Sequence, residues 1–291
     1  MEPERIAERV WPDGIRSLEP LGGGITNRNF KVTLLDDTQV VLRIGGRDTE
    51  LLGIDRDVEH AATRAAAAAG LAPEVVAFVE PEGYLVTRFV AGRPVPVEDA
   101  RRAGVLREIA GGLRRFHDGP AIPGRFDSFR VVEAYCATAT GRGIAIPPAY
   151  ERAKEVADRI ELARGVQPPA PCHNDLLNAN FIADGERIWV VDWEYAGMGD
   201  RFFDLANFAV NHELSAEEDE ELLRLYFGEV LEDDVRSLTL MRFMSDFREA
   251  MWGVVQQGLS ELEFDFGGYA ETHFERLRTT ADDPAFKEAL G

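Results

Sequence analysis

The sequence predicts an α+β protein of two lobes, a small amino-terminal lobe built on an antiparallel sheet and a larger, mainly helical carboxy-terminal lobe. Three observations lead there. Short β-branched runs bounded by glycine and proline turns fill the chain up to Val90. Helical periodicity dominates from residue 98 onward. Between them, Gly92-Arg93-Pro94 breaks the composition and marks the best boundary, dividing residues 1–91 from 92–291.

The elements follow in order. Residues 1–18 read as a short helix and a connection, with Ile6, Val10 and Trp11 as an apolar face. Residues 18–32 read as strand, turn, strand around Gly22, Gly23 and Gly24, where missing Cβ atoms permit positive φ and a close approach of backbone to a ligand. The glycines alone also suit an ordinary hairpin. Residues 40–44 form the next strand and carry Arg43. A helix over 54–69 has an acidic first turn holding Glu59, an alanine-rich body and Gly70 as its stop. Residues 74–79 and 84–90 then pair as a hairpin.

Beyond the boundary, residues 98–118 read as one amphipathic helix, with Leu106, Ile109, Leu113 and Phe116 on one face and His117 as a helix-end residue. Helices over 126–162 are broken at Gly141-Arg142-Gly143 and Pro147-Pro148. Asp204 opens a further helix, where an acid suits the cap and the dipole. The last third is helical, and residues 238–253 are its most apolar piece.

The chemistry concentrates in residues 172–204. His173, Asp175 and Asn180 stand in an H-x-D-x(4)-N spacing, and twelve residues beyond Asn180 an apolar run over 187–191 ends in Asp192. That run is short and β-branched, which makes it a buried strand and puts Asp192 at its edge. Two acids and an amide joined by a hairpin suit phosphoryl transfer from a magnesium nucleotide. One carboxylate aims and deprotonates the acceptor hydroxyl, while hard oxygen ligands hold Mg²⁺ against the phosphates. Asp175 is the candidate base, and Asn180 and Asp192 are the candidate metal ligands. His173 reads as a buttress of the catalytic loop and stays in the catalytic group on its spacing.

HNDLLNANF over 173–181, followed by VVDWEYAGMGDRFFDLANF over 190–208, resembles the choline/ethanolamine kinase family of kinase-like phosphotransferases, its bacterial branch included. The resemblance runs from the glycine-rich loop to Tyr269. It implies a protein-kinase-like fold, ATP and Mg²⁺ as cofactors, and a nucleotide site formed by Gly23, Gly24, Thr26, Asn27, Asn29 and Arg43. Arg43 lies in VLRIGG, where relatives carry a phosphate-contacting cation, and Glu59 is its expected partner. Residues 91–94 become the hinge that meets the adenine edge. The family holds its acceptor partly with a Trp-Gly-x-Trp segment. This chain keeps Trp252 and places Val255 where the second tryptophan would stand. Glu194, Tyr195, Asp204 and Tyr269 match other positions of that pocket.

The implied reaction is O-phosphorylation of a small cationic amino alcohol, choline first and ethanolamine second. An aminoglycoside or other small-alcohol phosphotransferase of the same superfamily is the alternative, with a non-catalytic nucleotide-binding regulator more remote. A protein kinase is disfavoured because neither Asp-Phe-Gly nor Ala-Pro-Glu occurs. A formal charge of −20 argues against nucleic-acid or anionic-membrane partners. Only Cys136 and Cys172 are present, too few for a disulfide framework. The amino terminus lacks a signal-peptide pattern and no apolar run approaches about 18 residues, so a soluble, cytoplasmic protein is expected.

Overall fold

The computed structural model describes residues 3–22 and 26–291. Helix α1 (Pro3–Val10) leads into strands β1 (Ile15–Leu21), β2 (Asn27–Leu34) and β3 (Gln39–Gly45). Helix α2 (Arg56–Ala68) follows, and then β4 (Val75–Val79) and β5 (Tyr84–Arg88). The five strands form one antiparallel sheet in the order β1-β2-β3-β5-β4. Alternation along β3 explains its two faces. Val40, Leu42 and Ile44 are buried with Phe30, Val32, Val86 and Ile6 of α1, whereas Val41 and Arg43 point the other way. Asn29 pairs directly with Arg43 across β2 and β3, so both face the same cavity. Asp55 caps α2 by accepting from the amides of Asp57 and Val58.

Strand β6 (Arg93–Pro94) starts the second part of the chain. Where one helix over 98–118 was expected, two form: α3 (Val97–Ala100) and α4 (Ala103–His117). The break falls at Arg101 and Arg102, where the Arg101 side chain turns away to donate to the carbonyl oxygen of His212. Helices α5 (Ser128–Gly141) and α6 (Ala149–Arg164) flank the expected glycine and proline break. Short strands β7 (Ala170–Cys172), β8 (Phe181–Ala183), β9 (Ile188–Val190) and β10 (Gly197–Gly199) frame the catalytic loop. β6, β8 and β9 make one antiparallel sheet, and β7 pairs with β10. Helices α7 (Arg201–Asn211), α8 (Ala216–Phe227), α9 (Glu232–Leu259), α10 (Phe266–Asp282) and α11 (Pro284–Leu290) complete the chain.

The large core gathers around α9, which is buried almost continuously from Leu238 to Gln256 and packs against α5, α7 and α10. Gly253 permits the close approach of α10, because a Cβ there would lie 3.0 Å from the Tyr269 ring. That contact sets Tyr269 beside Trp252. Ala62 and Ala66 of α2 join this core rather than the one under the sheet, which ties the first part of the chain to the second. No helix among the described residues is long and apolar enough to cross a membrane.

Candidate active site

A catalytic loop needs its backbone polar groups satisfied before its side chains can be aimed. Here Asp204, fully buried in the first turn of α7, accepts from the main-chain N–H groups of His173 (2.7 Å) and Asn174 (2.6 Å). His117 Nε2 reaches the same carboxylate at 2.9 Å, and its Nδ1 lies 2.7 Å from the Tyr226 hydroxyl. One turn along α7, Asn207 Oδ1 accepts from the Leu176 amide, and its own amide donates to Ser245 of α9. Asn174, at φ 67°, donates to the Tyr195 carbonyl oxygen.

Two expectations about Asp204 are corrected by this arrangement. Asp204 was grouped with the acceptor pocket, but its oxygens are spent on the loop backbone and His117. The helix cap is Asp200, which accepts from the Phe202 amide. His173 was read as a buttress although its spacing kept it in the catalytic group, and both ring nitrogens are engaged within the fold: Nδ1 accepts from the Asp175 amide at 3.2 Å and Nε2 donates to Val191 oxygen at 3.0 Å. Burial holds its pKa below the ordinary histidine value, which suits a neutral buttress. His117 ends α4 as expected, and it is also buried with its ring on Asp204.

The loop so held presents Asp175. Its Oδ1 accepts from Arg248 at 2.9 Å, while Asn180 Nδ2 donates to its main-chain oxygen at 2.8 Å. Burial pushes the Asp175 carboxyl up to about 7, against the opposing pull of Arg248 and with help from Glu249 and Asp192. Asp192 lies beyond β9 at φ 66°, a left-handed conformation that Asp tolerates better than most residues. Burial raises its carboxyl, but the Arg43 guanidinium outweighs burial and holds it below the ordinary value. The Val191 amide donates to Asn180 oxygen at 2.9 Å, so the two candidate metal ligands sit on facing arms of one hairpin.

With its side-chain Nδ2 committed to Asp175 and its main-chain oxygen to Val191, Asn180 has its side-chain Oδ1 left for a ligand, and Asp192 offers a carboxylate. An all-oxygen donor set of this kind fits Mg²⁺.

Arg43 NH1 is shared between Glu59 and Asp192, at 2.7 Å each. The expected pairing of strand cation and helix acid is present, and it reaches the candidate metal-ligand carboxylate as well. Arg56 extends the network to Glu59 (2.7 Å) and Glu194 (3.3 Å). Glu194 also accepts from Thr26 Oγ1 and from Asn27 Nδ2 at 2.8 Å. It therefore belongs to the glycine-loop side, not to the acceptor pocket where the resemblance had put it. Burial, reinforced by Asp192, pushes its carboxyl up to about 7. A cavity of about 430 Å³ lies between the sheet and the hairpin, lined by Gly22, Asn29, Arg43, Val90, Asn180 and Asp192 among others. Gly23 and Gly24 lie outside the described residues.

Tyr195, Trp252 and Tyr269 come together although 57 residues separate the first two. The Trp252 indole N–H donates to the Tyr195 hydroxyl at 3.1 Å, and the Tyr269 ring meets Trp252 edge-on at 5.6 Å. Val255 is fully buried in the core. Sequence reading missed the charged pair next to these rings. Arg248 and Glu249 are buried in α9, with Arg248 NH1 2.5 Å from Glu249 and the Tyr269 hydroxyl donating to Glu249 at 2.8 Å. Their signal was legible in principle: two opposite charges inside the most apolar stretch of the chain, three and four residues before Trp252.

Comparison with known proteins places this geometry. The model of the phosphotransferase enzyme family matches residues 17–238. A choline/ethanolamine kinase family protein from Mesorhizobium loti superposes with a TM-score of 0.84 at 32% identity, covering 99% of this chain and 96% of that one. A probable ethanolamine kinase of Arabidopsis thaliana is 27% identical across 88% of this chain and 77% of its own length. Ethanolamine kinase 1 of Mus musculus is 28% identical across 91% of this chain and 84% of its own. With its two-lobed, protein-kinase-like fold, the chain belongs to the phosphotransferase enzyme family and, within it, to the choline/ethanolamine kinases, enzymes that move a phosphoryl group onto an alcohol.

Proposed function

We propose that this enzyme transfers the γ-phosphoryl group of ATP to the hydroxyl of a small amino alcohol, choline or ethanolamine. One observation carries the reading: Arg248 bonds Asp175 at 2.9 Å and lies over the Tyr195 ring at 4.4 Å, so the candidate base adjoins the aromatic cluster. A hydroxyl aimed at Asp175 would thus have its ammonium end near aromatic faces and a buried carboxylate.

In this scheme the nucleotide occupies the cavity between sheet and hairpin, with its adenine toward the 91–94 hinge that divides the two lobes. Asn29 and Arg43 face the phosphates, while Thr26, Asn27 and Glu194 brace the glycine loop. Asn180 and Asp192 would hold Mg²⁺, which would neutralise charge on the phosphate oxygens. Asp175 orients the acceptor and takes its proton as the new P–O bond forms and the bond to the ADP oxygen breaks. A carboxyl near pKa 7 is matched to that task at neutral pH. Tyr195, Trp252 and Tyr269 line the acceptor end. The supply of ATP and a small cationic alcohol fits a cytoplasmic setting.

The test is ADP release by the purified protein with MgATP against choline, ethanolamine and one aminoglycoside. Turnover with either amino alcohol is expected. Silence on both, with release on the aminoglycoside, would overturn the proposal in favour of a sugar acceptor.

A further inference from the structure

Quaternary and primary ammonium groups ask different things of a pocket. A trimethylammonium has no N–H to donate and is held by aromatic faces. A primary ammonium has three donors and, once out of water, needs acceptors for them. The acceptor end of this site is unevenly supplied with the two.

Part of the aromatic surface is already engaged. The Arg248 guanidinium, 1% exposed, lies over Tyr195 at 4.4 Å and takes a face that would otherwise meet a cation. The Tyr195 hydroxyl already accepts from Trp252. Trp252 in turn packs edge-on with Phe266 at 5.8 Å and with Tyr269 at 5.6 Å. Acceptor oxygens, by contrast, remain. Glu249 is 2% exposed, takes one bond from Arg248 on Oε1 and one from the Tyr269 hydroxyl on Oε2. A carboxylate offers about four lone-pair sites, so roughly half its capacity is unused. Arg248 itself is underused: Nε and NH2 have no hydrogen-bond partner among the described residues, which leaves stacking and the two carboxylates to hold it. Asp175, Glu249 and Arg248 together carry one net negative charge when ionised, which a single monocation balances.

We infer that the Arg248–Glu249 pair sets acceptor specificity, and that it selects an ammonium still carrying N–H over a quaternary one. Arg248 removes an aromatic wall, and Glu249 supplies the hydrogen-bond acceptor. The inference rests on the amino-alcohol reading above and refines it.

The experiment begins with the unaltered enzyme. kcat/KM is measured for ethanolamine, its N-methyl and N,N-dimethyl derivatives, and choline. The expected series falls with each methyl and drops most at the last step, where the final N–H is lost. Glu249→Gln keeps the size of the side chain but removes its charge. It should raise the ethanolamine KM about tenfold or more, as loss of a charged hydrogen bond does, and move choline far less. Arg248→Met should shift the kcat/KM ratio toward choline; any common loss from disturbing Asp175 cancels in that ratio. Thermal melting with and without nucleotide checks that each variant folds. A wild-type preference for choline, or a Glu249→Gln variant that scales both acceptors equally, would overturn the inference and leave the proposed function standing. Turnover of no member of the series would overturn the proposed function itself.

Discussion

The assignment of Asp204 to the loop scaffold is the most exposed to refutation. Its carboxylate accepts from two main-chain N–H groups, at 2.7 and 2.6 Å, with no solvent contact. A hydrogen bond to a charged acceptor contributes about 1.5–3 kcal/mol, so Asp204→Ala should cost on the order of 3–6 kcal/mol. That is a large share of the roughly 5–15 kcal/mol by which a folded domain is stable. Asp204→Asn is the more informative change. It keeps the shape but turns an NH2 toward one of the two donors, which should cost about 1–3 kcal/mol and let the loop shift. A displacement near 1 Å in Asp175 is worth up to about a hundredfold in rate. Urea denaturation should therefore show a lower midpoint for Asp204→Asn. ADP-release kinetics should show a fallen kcat with an acceptor KM within about threefold of wild type, since no ground-state contact is lost. If the midpoint were unchanged and only the acceptor KM rose, Asp204 would touch the acceptor and the scaffold assignment would be wrong.

Other expectations are as direct. Asp175→Ala should lower kcat by about 10²–10⁴, the usual range for a positioned base, while a nucleotide titration stays near the wild-type affinity; substantial residual turnover would remove Asp175 from that role. Gly46→Ala would place a Cβ 2.3 Å from the Thr26 carbonyl oxygen, which accepts from the Gly46 amide, so the strand after the glycine loop must move. The ATP KM should rise several-fold with the acceptor KM little changed, and unaltered ATP kinetics would argue against a role for that contact. Stability should also depend on His212, whose pKa burial lowers from 6.5 to about 4. Because the folded value is depressed, the neutral ring's contribution is complete above pH 6.5 and is lost as pH falls toward 4, by up to about 3 kcal/mol. Urea midpoints measured across that window should fall less steeply in His212→Phe, and identical slopes would contradict the assignment.

Much of this was legible in the chain because it is written in local order. Strand alternation around Arg43, the acidic first turn and capping of the 54–69 helix, and the H-x-D-x(4)-N spacing depend on neighbours in sequence. So does the placing of Asp192 at the end of a short β-branched run. The split of the 98–118 segment was not legible in the helical periodicity; at the break Arg101 bonds His212, a partner 111 residues away.

Side-chain roles divide the same way. Asp175, Asn180 and Asp192 were grouped as candidates from their spacing and from the strand before Asp192, and they lie at and beside one hairpin. Glu194 and Asp204 lie in the same stretch, yet their partners come from the glycine loop, α2, α4 and the loop backbone. A carboxylate's role is set by which donors surround it in space, and sequence spacing carries no information about donors that lie 30 residues away in the chain, as for Asp204, or 167, as for Glu194. Arg248 and Glu249 make the same point most sharply. From sequence they are two charges on a helix. Only the packing of α9 against the loop that carries Asp175 and against α10 buries them beside Asp175.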